Sequence, residues 1–124
     1  MIERDKAIMI SGGSSSGVAI AVQGLCQEAK VMFMAALTHS NDTTGSDRKR
    51  YGFRYFFNTE MSGRALGGLL ANEYGADRRA YHLTADYTWG WSQLRSMQEY
   101  TEAEGWTTEN NILTPITTKD FSLS

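Results

Sequence analysis

Cysteine, proline and histidine are scarce in this sequence. Its 124 residues include one cysteine, one proline and two histidines. A single cysteine, Cys26, excludes an intrachain disulfide. His39 and His82 lie far apart along the chain and leave no spacing suited to metal ligands, so neither a metal nor another cofactor is expected. The helical pattern around Cys26 predicts a small apolar side chain on the buried face of a helix.

Long apolar runs and an excess of positive charge are missing as well. No stretch approaches the roughly 18 consecutive apolar residues of a membrane span, and residues 1–5 have neither the basic start nor the apolar core of a signal peptide. The net charge is −2, and Arg48-Lys49-Arg50 is the only cationic cluster. A nucleic-acid partner is therefore not expected.

Apolar runs alternate with helical stretches along the chain. Strands are predicted at about 6–11, 31–36, 51–57, 79–84 and 107–113, and helices at about 15–28, 60–74 and 91–104. This alternation predicts an α/β fold with Rossmann-like parallel sheets flanked by helices. The aromatic strand 51–57 follows a loop, which leaves open whether it continues the first sheet. We expect the chain to divide into parts 1–57 and 58–124.

Several apolar side chains are expected in the core. The run 7–10 predicts a strand buried on both faces. Apolar residues three and four apart between Val18 and Ala29 predict one helix face packed on a sheet. Core positions are also expected for methionine and aromatic side chains of the strands: Met9, Met32, Met34, Phe53, Tyr55, Phe56 and Phe57.

The segment Gly12–Gly17, with the sequence GGSSSG, joins the first strand to the first helix. Glycines allow close backbone approach, and the N–H groups of a helix start attract a carboxylate or phosphate. Val18 and Ala19 stand where a phosphate loop has Lys and Ser/Thr, which argues against a nucleotide. A hydrolase with Ser15 as nucleophile is an alternative, but His82, its only available histidine partner, falls inside a predicted strand.

A second candidate site follows the fourth predicted strand. Tyr87, Trp89 and Trp91 place three large aromatic side chains within five residues. Ligands bind at the carboxyl ends of strands in open α/β sheets. These aromatics are therefore candidate ligand contacts, with simple packing as the alternative. His39, which follows the second strand, is a candidate by its position, and a solvated surface residue is its alternative.

Five segments carry a family resemblance in their order and spacing: Lys6–Ser16, Lys30–Met34, Tyr51–Arg54, the Asp-x-x-aromatic-Gly turn Asp86–Gly90 and the Thr-x-Asp-Phe-Ser sequence Thr118–Ser122. Together they resemble the middle of a type I periplasmic solute-binding protein of the branched-chain amino acid and amide/urea group, which serves ABC importers. The resemblance covers essentially the whole chain. It implies a central fragment, with 1–57 in the first lobe and 58–124 in the second.

The resemblance implies non-catalytic binding of a small polar solute, such as an amino acid, an amide or a urea-like molecule, by closure of two lobes. It implies a periplasmic location and an ABC permease as partner, with a ligand-sensing domain of a regulator or receptor as the alternative. The implied ligand-binding residues are Ser15, Ser16, Leu37, Thr38, His39, Tyr87 and Trp89. Because such a fragment leaves apolar faces and sheet edges uncovered, we also expect it to self-associate.

Overall fold

The computed structural model describes residues 1–122. Contacts within the chain divide it after Asn58 into two compact units, which we call unit 1 and unit 2. Each unit contains parallel strands connected through helices or loops. The predicted α/β class is therefore confirmed, and each unit is described by itself.

Unit 1 is a three-stranded sheet with one long helix. Its elements are α1 (Ile2–Asp5), β1 (Met9–Gly12), α2 (Ser16–Ala29), β2 (Met32–Ala35), a 3-10 turn (Asn41–Thr43) and β3 (Gly52–Arg54). The strand order is β1-β2-β3, and both pairings are parallel. The aromatic strand therefore does continue the first sheet, because the loop after β2 carries the chain back to the other end of the sheet.

Helix α2 covers one face of this sheet. It ends where Lys30 adopts a left-handed conformation, φ 55°, and its backbone N–H bonds the carbonyls of Cys26 and Gln27. The buried apolar residues of the unit are Ala19, Cys26, Phe33 and Ala35. The buried position predicted for Cys26 is thus confirmed, whereas Val18 and Leu25 of the expected stripe are 53% and 62% exposed.

Most of the other core predictions for unit 1 are wrong. Ile8 precedes β1 and is 84% exposed, so the strand is not buried on both faces. Met9 and Met32 are exposed and Met34 is half-buried. The aromatic residues expected in the core, Phe53, Tyr55, Phe56 and Phe57, are 46%, 65%, 38% and 51% exposed. The reason is that β3 ends at Arg54, before Tyr55, and that α2 is the long helix that packs on the sheet within the described part of unit 1.

Unit 2 contains two helices and two parallel strands. Its elements are α3 (Thr59–Tyr74), β4 (Arg79–Ala85), α4 (Thr88–Ala103) and β5 (Thr107–Thr114). Gly75 and Gly105 follow the two helices with φ of 78° and 89°, a conformation that glycine adopts without steric cost. The helix ends predicted at about 74 and 104 are therefore confirmed. Thr59 is the first residue of α3, one position before the predicted start at about 60.

Small and polar residues form the contact between α3 and α4. Thr59, Gly63 and Gly67 are buried at four-residue spacing on α3, facing Ser92, Ser96 and Tyr100 of α4. The hydroxyl oxygens of Thr59 and Ser92 lie 2.5 Å apart. The larger apolar residues of α3, including Met61 and Leu69, are 59% and 55% exposed. Close helix approach therefore depends on the glycines rather than on an apolar stripe.

Candidate ligand-binding site

The carboxyl ends of the three strands of unit 1 lie side by side. Gly12 is paired with Ala35, and Ala35 with Arg54, so β1, β2 and β3 end at the same edge of the sheet. The Ala36 N–H donates to the Gly12 carbonyl over 3.2 Å. The segments 13–16 and 36–40 therefore leave the sheet next to each other. We call this the carboxyl edge of unit 1.

Ser15 and Ser16 lie at the start of α2 on this edge. Ser15 is the N-cap residue, with extended backbone (φ −121°, ψ 135°), and its side chain makes no capping hydrogen bond. Ser15 is half-buried. Ser16 is 2% exposed, and its Oγ accepts a hydrogen bond from the Ser40 N–H over 3.2 Å. At this turn the side chain of Ser15 and the backbone N–H of Ser16 are the groups suited to a ligand.

The loop after β2 runs beside that helix start. Leu37 is 58% exposed, whereas Thr38 is 1% exposed. The Thr38 Oγ1 is buried without a hydrogen-bond partner, and its methyl group faces Gly13, where an added Cβ would lie 3.7 Å away. That distance is an ordinary contact, so it is the backbone φ of 90° that favours glycine at position 13. The structure thus brings together the predicted residues of the first two loops.

His39 is held by aromatic neighbours on the same edge. Its ring stacks on Phe57 with centroids 4.2 Å apart and an 8° angle between planes. The Phe56 ring meets it edge-on at 5.9 Å. The His39 Nδ1 lies 2.9 Å from the Phe57 carbonyl oxygen. Because a carbonyl only accepts, Nδ1 carries the hydrogen and, in neutral histidine, Nε2 is left as an acceptor.

Arg54 is a residue of this edge that the sequence reasoning missed. Its Nη1 donates to the Ser40 carbonyl over 2.6 Å, and its Nη2 donates to the Thr44 Oγ1 over 2.8 Å. Burial lowers the pKa of the guanidinium below its usual range, although an arginine stays charged. The sequence signal that could have identified Arg54 is that it is the one charged residue of the aromatic strand 51–57, on the same face as Gly52.

Unit 2 has its own strand-to-helix turn, between β4 and α4. Tyr87 is the N-cap residue of α4, and its ring lies 6.0 Å from that of Trp89, tilted by 36°. The Trp91 Nε1 donates to the Asp86 carboxylate over 2.9 Å. Gly90 packs directly against the Ala85 carbonyl. The predicted pair Tyr87 and Trp89 therefore lies together at the carboxyl end of β4.

A cavity of about 220 Å³ lies between β4 and α4, lined by residues that include His82, Thr84, Trp89 and Met97. The His82 Nε2 is buried without a hydrogen-bond partner, and burial lowers the pKa of this histidine while Glu102 opposes the shift. His82 is thus packed between a strand and a helix, where burial favours the neutral form of its side chain by lowering its pKa. His82 belongs to unit 2, whereas Ser15 belongs to unit 1.

Other features of the chain do not involve the predicted site residues. A wider, mostly apolar cavity of about 670 Å³ lies between α1 and the second half of α2. Within residues 1–122, no cluster of histidine, cysteine and acidic side chains could hold a metal ion. Among the same residues, no helix combines the length and apolar character that crossing a membrane requires.

The chain was compared with known proteins. The periplasmic binding protein family matches residues 1–123. A solute-binding protein of an ABC transporter from Rhodopseudomonas palustris BisB5, in complex with 3,4-dihydroxybenzoic acid, is 28% identical, with a TM-score of 0.85 over 97% of this chain and 32% of its own. A solute-binding protein from R. palustris with 4-hydroxybenzoate is 27% identical, with a TM-score of 0.81 over 97% and 32%.

A periplasmic binding protein from Burkholderia mallei has the same fold, with a TM-score of 0.89 at 21% identity over 98% of this chain and 32% of its own. The chain therefore spans about a third of the length of these structures. A comparison with curated proteins finds no match. The parallel sheets flanked by helices are those of the type I fold, and the chain belongs to the periplasmic binding protein family.

Proposed function

We propose that this chain is part of the non-catalytic solute-binding component of an ABC importer, which acts in the periplasm and delivers its solute to an ABC permease. Unit 1 would belong to the first lobe and unit 2 to the second. The observation that carries this proposal is the half-buried Ser15 side chain, which makes no capping hydrogen bond at the start of α2. Relatives that are 27% and 28% identical are solute-binding proteins of ABC transporters.

A carboxylate is the ligand group that best suits the start of α2. The first N–H groups of a helix have no intrahelical acceptor and carry partial positive charge. Ser15 adds a hydroxyl donor beside them. A carboxylate satisfies several such donors at once, whereas an amide or urea offers only a neutral carbonyl. Among the solutes expected from the sequence, amino acids therefore fit this site better than amides or urea.

The aromatic turn of unit 2 is a second candidate ligand contact. The two R. palustris proteins were solved with 3,4-dihydroxybenzoic acid and 4-hydroxybenzoate, which are aromatic carboxylic acids. Tyr87 and Trp89 of unit 2 form an aromatic pair suited to stacking on a ring or an apolar side chain. We therefore propose an aromatic or amino-acid carboxylate as the ligand class.

We assign different roles to the predicted ligand-binding residues. Ser15 would donate its hydroxyl hydrogen to the ligand, and Ser16 its backbone N–H, since the Ser16 Oγ is occupied by Ser40. Leu37 is exposed and would contact an apolar part of the ligand. Thr38 is buried, so it would contribute through its backbone, while His39 would offer Nε2 as an acceptor.

Replacing Ser15 with alanine is the first test. We expect Ser15→Ala to weaken binding of 4-hydroxybenzoate and leucine about tenfold, because a hydrogen bond to a charged group contributes roughly 1.5 kcal/mol. Affinity is measured from the shifts of the Ser16 to Val18 backbone N–H signals in NMR titrations. Ser14→Ala is the matched control, because Ser14 is exposed and precedes the N-cap. Equal affinity of Ser15→Ala and wild type would count against the proposed site.

The chain by itself is proposed to self-associate through the uncovered face of β4 and β5. Tyr81, Leu83 and Ile112 are 71%, 60% and 37% exposed, and Leu83 is paired with Ile112. His82 and Thr84 alternate with them and line the cavity next to α4 on the other face. Parallel sheets are normally covered on both faces, and a second copy offers the same apolar surface for this purpose.

Light scattering tests this self-association. We expect a mass of at least twice the 13.8 kDa of the chain, and a shift towards the monomer in Leu83→Lys, which places a charge in the middle of the uncovered face. Lys119→Gln changes an exposed position of the tail and is the control. A wild-type chain that is monomeric at every concentration would contradict the proposal.

A further inference from the structure

Arg54 connects three segments of the carboxyl edge of unit 1. Its Nη1 donates to the Ser40 carbonyl over 2.6 Å, and the Ser40 N–H donates to the Ser16 Oγ over 3.2 Å. Its Nη2 donates to the Thr44 Oγ1 over 2.8 Å. The Arg54 guanidinium at the end of β3 is therefore joined to the start of α2 through one residue, Ser40. Ser40, which joins them, is 0% exposed, and Ser16 is 2% exposed.

The acceptors of Arg54 are neutral. Its two hydrogen-bond acceptors are a carbonyl oxygen and a hydroxyl oxygen, neither of which carries a charge. A half-buried cation loses hydration without gaining a counter-charge. The two hydrogen bonds offset this cost only while the loop that supplies the acceptors stays in place. The position of the 36–44 loop and the burial of Arg54 therefore depend on each other.

We propose that Arg54 is a positioning residue of the candidate site: by holding the Ser40 carbonyl, it fixes the loop that carries Leu37, Thr38 and His39 against the start of α2. This inference rests on the proposed carboxylate site for its functional meaning. The planar guanidinium donates in two directions at once, to Ser40 and to Thr44, whereas a lysine ammonium on a flexible chain does not reproduce that fork.

Fixing the loop matters because a ligand would meet both segments. The Ser15 hydroxyl and the N–H groups of α2 belong to one segment, and the backbone of 37–39 belongs to the other. Binding sites gain affinity when their groups are held in place before the ligand arrives. An uncompensated cation close to the edge also favours an anionic ligand over a neutral one. Arg54 would thus influence binding without touching the ligand.

Hydrogen exchange of single backbone amides tests this role without any ligand. In Arg54→Lys and Arg54→Gln, we expect the Ser40 amide hydrogen to exchange at least tenfold faster. The amide of Phe33, which donates to the Tyr51 carbonyl over 2.8 Å inside the sheet, is expected to keep its rate. Arg50→Gln is the matched control, because it removes the same charge from an exposed position four residues earlier.

The pattern of exchange decides the outcome. Faster exchange at Ser40 alone supports a positioning role. Equal acceleration at Ser40 and Phe33 would show a general loss of stability, and no acceleration at Ser40 would show that the loop is fixed without Arg54; either result overturns the proposal.

In a second experiment, Arg54→Gln should weaken binding of 4-hydroxybenzoate about tenfold and that of 4-hydroxybenzamide less. If the wild type binds neither probe, the proposed function fails, while the exchange rates still decide the role of Arg54.

Discussion

Replacing Gly90 with alanine is expected to destabilise unit 2 by about 3 kcal/mol, the upper end of the usual cost of overpacking. A methyl group at this position would overlap the carbonyl oxygen of Ala85 and lie 2.8 Å from its carbonyl carbon. Both atoms belong to the backbone at the end of β4, so no side-chain rotation relieves the overlap. Either α4 moves away from the strand or the end of β4 shifts. In both cases the turn that carries Tyr87 and Trp89 is displaced.

Urea unfolding followed by tryptophan fluorescence measures this loss. The three tryptophans, Trp89, Trp91 and Trp106, all lie in unit 2 and report its unfolding. Gly68→Ala is the matched control, because an added Cβ at Gly68 of α3 meets no atom within 4 Å. That variant should gain about 0.5–1 kcal/mol, since alanine is the better helix former. Gly90→Ala with wild-type stability would contradict the close packing of α4 on β4.

Replacing Gly52 with alanine is expected to destabilise unit 1 by about 2–3 kcal/mol. The new methyl group would overlap the Gln23 side chain, whose Cγ would lie 2.8 Å away. Gln23 is 1% exposed, and its Nε2 donates to the carbonyls of Thr43 and Asp47, both over 3.0 Å. Moving the side chain aside breaks the two bonds that hold the loop before β3.

A double-mutant cycle isolates this contact. Gln23→Ala alone should cost about 2 kcal/mol, because it leaves two loop carbonyls without their donor. In the Gln23→Ala background, Gly52→Ala should cost less than about 0.5 kcal/mol. Stability is read from urea unfolding followed by backbone circular dichroism and from the exchange of the Phe33 amide. Gly24→Ala, which adds a methyl group to open space on α2, is the control. Equal costs of Gly52→Ala in both backgrounds would contradict the contact.

The order and type of the elements could be predicted from the sequence because local patterns determine them. Apolar runs such as 31–36 identify strands, and Gly75 and Gly105 mark helix ends through backbone conformations that favour glycine. Burial was predicted less well. Leu25 and Phe53 are apolar and correctly spaced, yet they are exposed, because burial depends on what covers a face. Nothing in the local pattern shows how many helices pack on a sheet.

The candidate site could also be predicted only in part from the sequence. Ser15 could be selected because a strand, a glycine-rich turn and a helix follow one another in the sequence. The burial of the Ser16 hydroxyl could not be predicted, because its hydrogen-bond partner Ser40 lies 24 residues further along the chain. Arg54 reaches Ser40 across 14 residues. Such contacts arise from the pairing of three parallel strands, which the sequence pattern leaves open.

An NMR titration of the wild-type chain with 4-hydroxybenzoate tests the proposed carboxylate site most directly. The backbone N–H signals that shift most identify where the ligand binds. We expect the largest shifts at Ser15 to Val18 and at Leu37 to His39, with half-saturation below about 10 mM, which corresponds to a binding free energy of at least roughly 3 kcal/mol. Shifts confined to the cavity between α1 and α2, or no shifts up to that concentration, would contradict the assignment of a carboxylate site to the start of α2.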